Sequence, residues 1–99
     1  MKVHYTQQSL DAFEELKIFL KAKISEEKTD EIFLELIGRC EKLSKNPLVG
    51  RKEKYLEHLG LDHRKIIEKH IKIIYRIYNN QIYIIDIFDS RQNPNKMKG

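Results

Sequence analysis

The chain has 99 residues, of which 40% are hydrophobic and 34% are charged, and its formal net charge is +4. These values predict one soluble globular domain over residues 1–99 and exclude a disordered chain. The uninterrupted apolar runs are only a few residues long, which is too short to span a membrane. The positive excess lies in the second half, since residues 1–50 have a net charge of −1 and residues 51–99 a net charge of +5.

The N-terminal segment, MKVHYTQQSL, predicts a short strand and carries no sign of a secretory signal. Val3 and Tyr5 alternate with polar residues over positions 2–6, which is typical of a strand. The segment lacks the apolar stretch of a signal peptide, so we expect a cytoplasmic protein.

Two amphipathic helices follow in the predicted order. The first is indicated by apolar residues at spacings of three and four, namely Leu10, Phe13, Leu16, Leu20 and Ile24. The second begins after Ser25 or at Thr29, because each is a capping residue followed by acids, and it ends at Asn46–Pro47. We interpret Cys40, the single cysteine, as a core residue of this helix rather than a nucleophile.

The remaining segments predict a loop, three strands and a tail. Residues 48–61 are expected to form an ordered loop with a short helical turn, and strands are predicted at 62–68, 70–78 and 81–88. Asn79–Asn80 suits a two-residue turn, because asparagine tolerates positive φ, and a weaker turn is predicted at Glu68–Lys69. The tail is expected to be mobile after about residue 94.

This order, β-α-α-β-β-β, predicts an α+β fold. Two helices packed on one face of an antiparallel sheet are the simplest arrangement that buries all the apolar stripes. The first strand has no hairpin neighbour, so we place it at an edge of the sheet.

Side-chain alternation divides the three predicted strands into two faces. The face expected to meet the helices holds Ile66, Ile71, Ile73, Tyr75, Ile77, Ile82, Ile84 and Phe88. The other face holds His63, Lys65, Lys72, Arg76, Tyr78 and Tyr83, with Ile67, Ile74, Ile85 and Ile87 among them. No predicted element remains to cover this second face, which therefore suits a nucleic acid or an acidic protein, with an ordinary solvated face as the alternative.

Arg64 and Asp86 also fall on the predicted core face. A lone charge there would be costly, so we predict that the two side chains form a buried ion pair across the central strand.

The residues that carry chemistry form a basic cluster. It comprises Arg51, Lys52 and Lys54 of the loop, together with His63, Lys65, Lys72, Arg76 and Arg91. Such cations could stabilise the charge that develops in metal-free RNA cleavage, or they could bind an acidic surface without chemistry, and their spacing leaves both open. There is no phosphate-binding glycine loop and no zinc-ligand spacing, so no cofactor and no metal are expected.

The element order, the Pro–x–x–Gly at 47–50 and the segment RKIIEKHIKIIYRIYNNQIYIIDIFDSRQNP at 64–94 resemble the RelE/ParE superfamily, the toxins of type II toxin–antitoxin modules. The resemblance implies an antitoxin that wraps the toxin and masks its surface. In the RelE branch it implies metal-free cleavage of messenger RNA in the ribosomal A site, by basic residues of the sheet face and a C-terminal tyrosine. The ParE branch is associated with inhibition of DNA gyrase and is not a nuclease.

Carried over by position, Lys65 and Lys72 resemble the basic sheet residues of the nuclease branch, and Arg91 resembles its C-terminal arginine. These three are the candidate catalytic residues, with His63 as a substitute proton acceptor. Residues 89–99 contain neither tyrosine nor histidine, so the usual acceptor has no counterpart.

The resemblance, together with the missing tail tyrosine, implies a ParE-like toxin that inhibits growth and serves plasmid stabilization, with gyrase or another cellular component as its target. A ribosome-dependent endoribonuclease is the alternative, so whether the chain is an enzyme stays open, and a non-toxic nucleic-acid-binding module is a third hypothesis. Contacts to the target or the antitoxin are expected at Arg51, Lys52, Lys54, His63, Arg76, Tyr78 and Tyr83.

Overall fold

The computed structural model describes residues 1–99. The main elements are β1 (Val3–Tyr5), α1 (Gln7–Lys21), α2 (Glu26–Lys42), β2 (Arg51–Lys52), β3 (Arg64–Glu68), β4 (Ile71–Tyr78) and β5 (Gln81–Asp89). Short 3-10 helices occupy Lys54–Leu59 and Pro94–Lys96. The predicted α+β fold is confirmed, and β2 is an additional strand in the segment predicted to be a loop. None of the helices combines the length and the apolar character needed to cross a membrane.

Both long helices begin at a hydroxyl side chain. The Thr6 hydroxyl accepts a hydrogen bond from the Ser9 amide at 3.1 Å, and the Ser25 hydroxyl accepts one from the Lys28 amide at 3.2 Å. Each bond satisfies an amide that the first turn leaves without a partner. Of the two predicted starts for α2, the structure uses the one at Ser25, and the buried Thr29 donates its hydroxyl to the Ser25 carbonyl at 3.0 Å.

The sheet has five strands in the order β1-β5-β4-β3-β2. The edge position of β1 is confirmed, but β1 runs parallel to β5, so the predicted antiparallel sheet is in fact mixed. Parallel neighbours need a long crossover between them, and the two helices with β2, β3 and β4 provide it.

The two hairpin turns differ in how well the sequence predicts them. Asn79 and Asn80 have φ angles of 51° and 61°, as expected for this turn. The prediction of Glu68–Lys69 as the other turn was wrong by one residue, since Glu68 pairs with Ile71 and the turn consists of Lys69 and His70. The shift moves each cross-strand partner by two positions, so the side chains keep their faces.

A β-bulge in β5 changes the side of the sheet on which the side chains of its second half lie. Tyr75 pairs with Ile84, whereas the preceding residue, Ile74, pairs with Asp86. Ile85 is therefore an extra residue without a partner. Such an extra residue reverses the alternation of side chains beyond it.

Two apolar side chains beyond the bulge consequently lie opposite to their predicted faces. Ile87, predicted on the exposed face, packs in the core beneath the helices. Phe88, predicted in that core, packs on the other side of the sheet with Ile85 and Met97.

The predicted ion pair between Arg64 and Asp86 is wrong for the same reason. The bulge turns Asp86 to the face opposite Arg64. Arg64 donates from Nη1 to the Gly50 carbonyl at 2.7 Å. The Asp86 carboxylate accepts hydrogen bonds from the amides of Ile87 at 2.9 Å and Lys98 at 3.0 Å. Burial raises the pKa of Asp86, and these two amides partly oppose that rise.

The sheet has a core on each face. The larger core lies beneath α1 and α2 and includes Leu36, Cys40, Ile73, Tyr75 and Ile84. The smaller core consists of Leu56, Ile74, Ile85, Phe88 and Met97. The second face is therefore partly covered, contrary to prediction, because Leu56 of the 3-10 helix and Met97 of the tail pack against it.

Candidate functional site

The candidate site lies on the sheet face opposite the helices, which we call the distal face. Strand pairing places the basic and aromatic side chains of β3, β4 and β5 on this face, namely Lys65, Lys72, Arg76, Tyr78 and Tyr83. Lys65, Lys72 and Arg76 thus share one side of the sheet, and the 3-10 helix Lys54–Leu59 lies over part of it.

Glu53 is the centre of a charge network on the distal face. Its side chain is 1% exposed, and its Oε2 lies 3.0 Å from Lys72 Nζ and 3.6 Å from Lys65 Nζ. Its Oε1 accepts a hydrogen bond from the Tyr55 amide at 3.3 Å, because Glu53 caps the following 3-10 helix. The Glu53 amide donates to the His63 carbonyl at 2.9 Å, which fixes the residue against the start of β3.

The network keeps the Glu53 carboxyl ionised at neutral pH. Burial alone would raise the pKa of Glu53, but the Lys72 hydrogen bond, the Tyr55 amide and the charges of Lys72 and Lys65 hold the pKa below its ordinary value of 4.5. The centroid of the Tyr55 ring lies 6.0 Å from Lys72 Nζ. Lys72 thus interacts with both a carboxylate and an aromatic ring.

His63 lies within the protein rather than on the surface. Its residue is 3% exposed, and neither ring nitrogen has a hydrogen-bond partner. Burial and the nearby Arg76 charge lower the pKa of His63, while Asp62 partly opposes this effect. A Cβ atom placed on Gly99 would lie 3.1 Å from Nε2, so the tail packs against the imidazole.

Arg91 is bound at the end of β5. Its Nε and Nη2 donate to the two carboxylate oxygens of Asp89 at 3.0 and 2.8 Å. This hydrogen bonding is the main reason why the pKa of Asp89 is lowered. Arg91 is thus paired with Asp89 and not with the Glu53 network.

Two exposed basic residues border the network: Arg51, which lies opposite Lys65 in the β2–β3 register, and Lys54, which follows Glu53 in the chain. Lys52 was predicted in the same cluster, but it lies opposite Arg64, on the side of the sheet that the helices cover. Arg51, Lys52 and Lys54 are exposed, and of these only Lys52 has an ion-pair partner, Asp62, at 3.3 Å. Because both members of that pair are exposed, the pair contributes little to stability.

Aromatic residues occupy the far end of the distal face, near the Asn79–Asn80 turn. The ring of His4 stacks on that of Tyr83 with centroids 5.0 Å apart, and His4 also contacts Gln81. The Arg76 guanidinium lies 5.9 Å from the ring centroid of the exposed Tyr78 and donates from Nε to the Leu61 carbonyl at 2.8 Å.

Sequence reasoning missed Glu53 and Tyr55. The available signal was a single acid in the basic run RKEK at 51–54, because an isolated acid among cations is placed to pair with them. No group of three or more His, Cys, Asp or Glu side chains is arranged to hold a metal ion.

One protein family matches this chain. Its description is ParE toxin of type II toxin-antitoxin system, parDE, and the match covers residues 3–94. The matched segment contains both long helices and all five strands. A search of curated proteins found no match.

Proposed function

We propose that this chain, which belongs to the ParE toxin family of type II toxin–antitoxin systems, inhibits growth by binding a protein target and does not cleave RNA. Membership confirms the RelE/ParE resemblance seen in the sequence, and it implies an antitoxin partner. DNA gyrase is the proposed target, and neutralisation by a cognate antitoxin that covers the distal face is part of the proposal.

One observation supports protein binding over RNA cleavage: each candidate catalytic cation is paired with a carboxylate of the chain itself. Lys65 and Lys72 contact Glu53, and Arg91 contacts Asp89. A metal-free nuclease needs cations and proton-transfer groups that are free to meet the scissile phosphate. The tail supplies no tyrosine or histidine as a proton acceptor, and the buried His63 is shielded from a substrate.

The proposed contact surface consists of the exposed part of the distal face and its basic border. It comprises the exposed Arg51, Lys54 and Tyr78 together with the half-buried Arg76 and Tyr83, whereas Lys52, opposite Arg64 in the register, lies on the other side of the sheet. Arginine and tyrosine are enriched at the centres of protein interfaces, where they combine a large contact area with hydrogen bonding. His63 was predicted to belong to this surface, but it contributes no exposed side chain, so we assign it no contact.

Two assays with the purified chain test this proposal. In a gyrase supercoiling assay, we expect inhibition that is weakened by Tyr78→Ala and by Arg76→Ala and left unchanged by Lys28→Ala, a change at an exposed position of α2. In a translating extract, mapping of messenger ends should show no cuts at the A site. A-site cuts that disappear in Lys72→Met would instead establish the nuclease alternative. An absence of gyrase inhibition by the wild type would reject gyrase as the target.

A further inference from the structure

The Glu53 network has the composition of an anion site that is already occupied. Three groups converge on the carboxylate: Lys72 Nζ and the Tyr55 amide donate hydrogen bonds to Oε2 and Oε1, and Lys65 Nζ forms an ion pair with Oε2 at 3.6 Å. Ammonium groups and backbone amides are also the donors that hold phosphate oxygens. The Glu53 carboxylate thus takes the place that an RNA phosphate would need in order to contact both lysines.

Accepting the proposed function, we propose that Glu53 is the specificity-determining residue that prevents the distal face from binding RNA. Glu53 is an internal anion attached to the chain, so it is always present beside the lysines, whereas an RNA phosphate must arrive from solution. A phosphate that displaced it would also leave the Glu53 carboxylate buried without its partners, which is costly.

The network lies close enough to the surface for the Glu53 charge to determine whether the two lysines can bind a phosphate. Lys65 and Lys72 are 24% and 14% exposed, so both ammonium groups lie near the surface. The exposed Arg51 lies opposite Lys65 in the register, and the exposed Lys54 follows Glu53 in the chain. Without the Glu53 charge, the distal face would present a continuous group of cations that can track a phosphate backbone.

The test compares two variants that remove the same charge from different places. Glu53→Gln removes the buried carboxylate, and Asp62→Asn removes the exposed carboxylate that pairs with Lys52. Binding of a short fluorescein-labelled single-stranded RNA is measured by anisotropy over a range of salt concentrations. We expect Glu53→Gln to bind at least about tenfold tighter than the wild type at low salt, because two charged contacts become available to phosphate.

The salt dependence gives a second measurement of the same effect. Two newly freed lysines should steepen the slope of log affinity against log salt by about 1.4, at ~0.7 per phosphate of a single strand. Adding Lys65→Met and Lys72→Met to Glu53→Gln should abolish the gain. Equal binding by Glu53→Gln and Asp62→Asn would overturn the proposal, since the gain would then follow net charge alone.

A conservative variant keeps the test decisive if Glu53→Gln does not fold. Glu53→Asp retains the charge but withdraws the carboxylate by one methylene, so it loses the longer contact to Lys65. An RNA-binding gain that Lys65→Met reverses would support the proposal, and no gain would overturn it. Because gyrase inhibition and A-site cleavage are measured on the wild type, failure of the proposed function is distinguishable from failure here.

Discussion

The hydroxyl oxygen of Tyr75 lies 2.9 Å from the amide nitrogen of Gly50 and accepts its hydrogen bond. The same hydroxyl donates to the Pro47 carbonyl at 2.7 Å, so one side chain of β4 fixes both ends of the Pro–x–x–Gly segment. A Cβ atom on residue 50 would lie 2.5 Å from that hydroxyl oxygen and 2.7 Å from the Lys65 carbonyl oxygen. Glycine is therefore required here for close approach.

Tyr75→Phe should lower the free energy of unfolding by about 1–3 kcal/mol, because it leaves the Gly50 amide and the Pro47 carbonyl without their partner. Urea denaturation of the purified chain measures the change. Tyr78→Phe is the matched control, because Tyr78 is exposed, and it should stay within about 0.5 kcal/mol of the wild type. Equal stability of the two variants would show that the Tyr75 hydroxyl does not hold the loop.

The features that the sequence predicts well are those set by local chemistry. Ser25 is one of the two helix starts that the sequence offers, and its hydroxyl satisfies a free amide. Asn79–Asn80 fixes the β4–β5 register because both residues tolerate positive φ. From this turn, the shared face of Lys65, Lys72 and Arg76 follows by alternation, even though the other turn lies one residue further along.

The features that the sequence does not reveal depend on tertiary packing. The bulge at Ile85 lies in an isoleucine-rich run. Apolar side chains of this run are buried whichever side of the sheet they occupy, so no residue type indicates where the alternation changes. Met97 is the one apolar residue in a polar tail, and Leu56 lies in a short segment without helical periodicity. Hydrophobic periodicity therefore does not predict that these two side chains pack on the distal face.

Lys72→Met should destabilise the fold by about 3 kcal/mol at neutral pH, because the buried Glu53 carboxylate loses its closest partner. Chemical denaturation measures this loss. Lys52→Met is the control, because Lys52 pairs with Asp62 on the exposed surface. The double variant Lys72→Met/Glu53→Gln should recover part of the loss, and strict additivity would argue against the coupling.

Glu53 also predicts an acid-dependent loss of stability. Since its folded-state pKa is lowered, the unfolded chain binds the proton more readily. The contribution is fully present above the ordinary value of 4.5 and is lost as the pH falls through the folded-state pKa. Unfolding free energies measured over this acidic range should fall less steeply in Glu53→Gln than in the wild type, and identical slopes would contradict the assignment.

His63 predicts a separate change at milder acidity. Burial and the Arg76 charge hold its folded-state pKa below the ordinary 6.5, so the unfolded chain takes up the proton first. Stability should decline as the pH falls from 6.5 towards the folded-state pKa. Melting temperatures of His63→Leu should lack this decline, while those of His58→Leu, at an exposed position, should retain it. A decline of equal size in His63→Leu would assign the effect to other groups.

Met97 tests whether the tail is a structural cover. Its side chain is buried against Ile74, Ile85 and Phe88, although the segment around it is polar. Met97→Ala should therefore lower the free energy of unfolding by about 2–5 kcal/mol, the usual cost of truncating a buried methionine. Lys96→Ala, one residue away and exposed, should change it by less than about 0.5 kcal/mol. Because Met97 lies on the distal face, the same variant should increase the binding of a dye specific for exposed apolar surface, and unchanged dye binding together with wild-type stability would show that the tail does not cover the sheet.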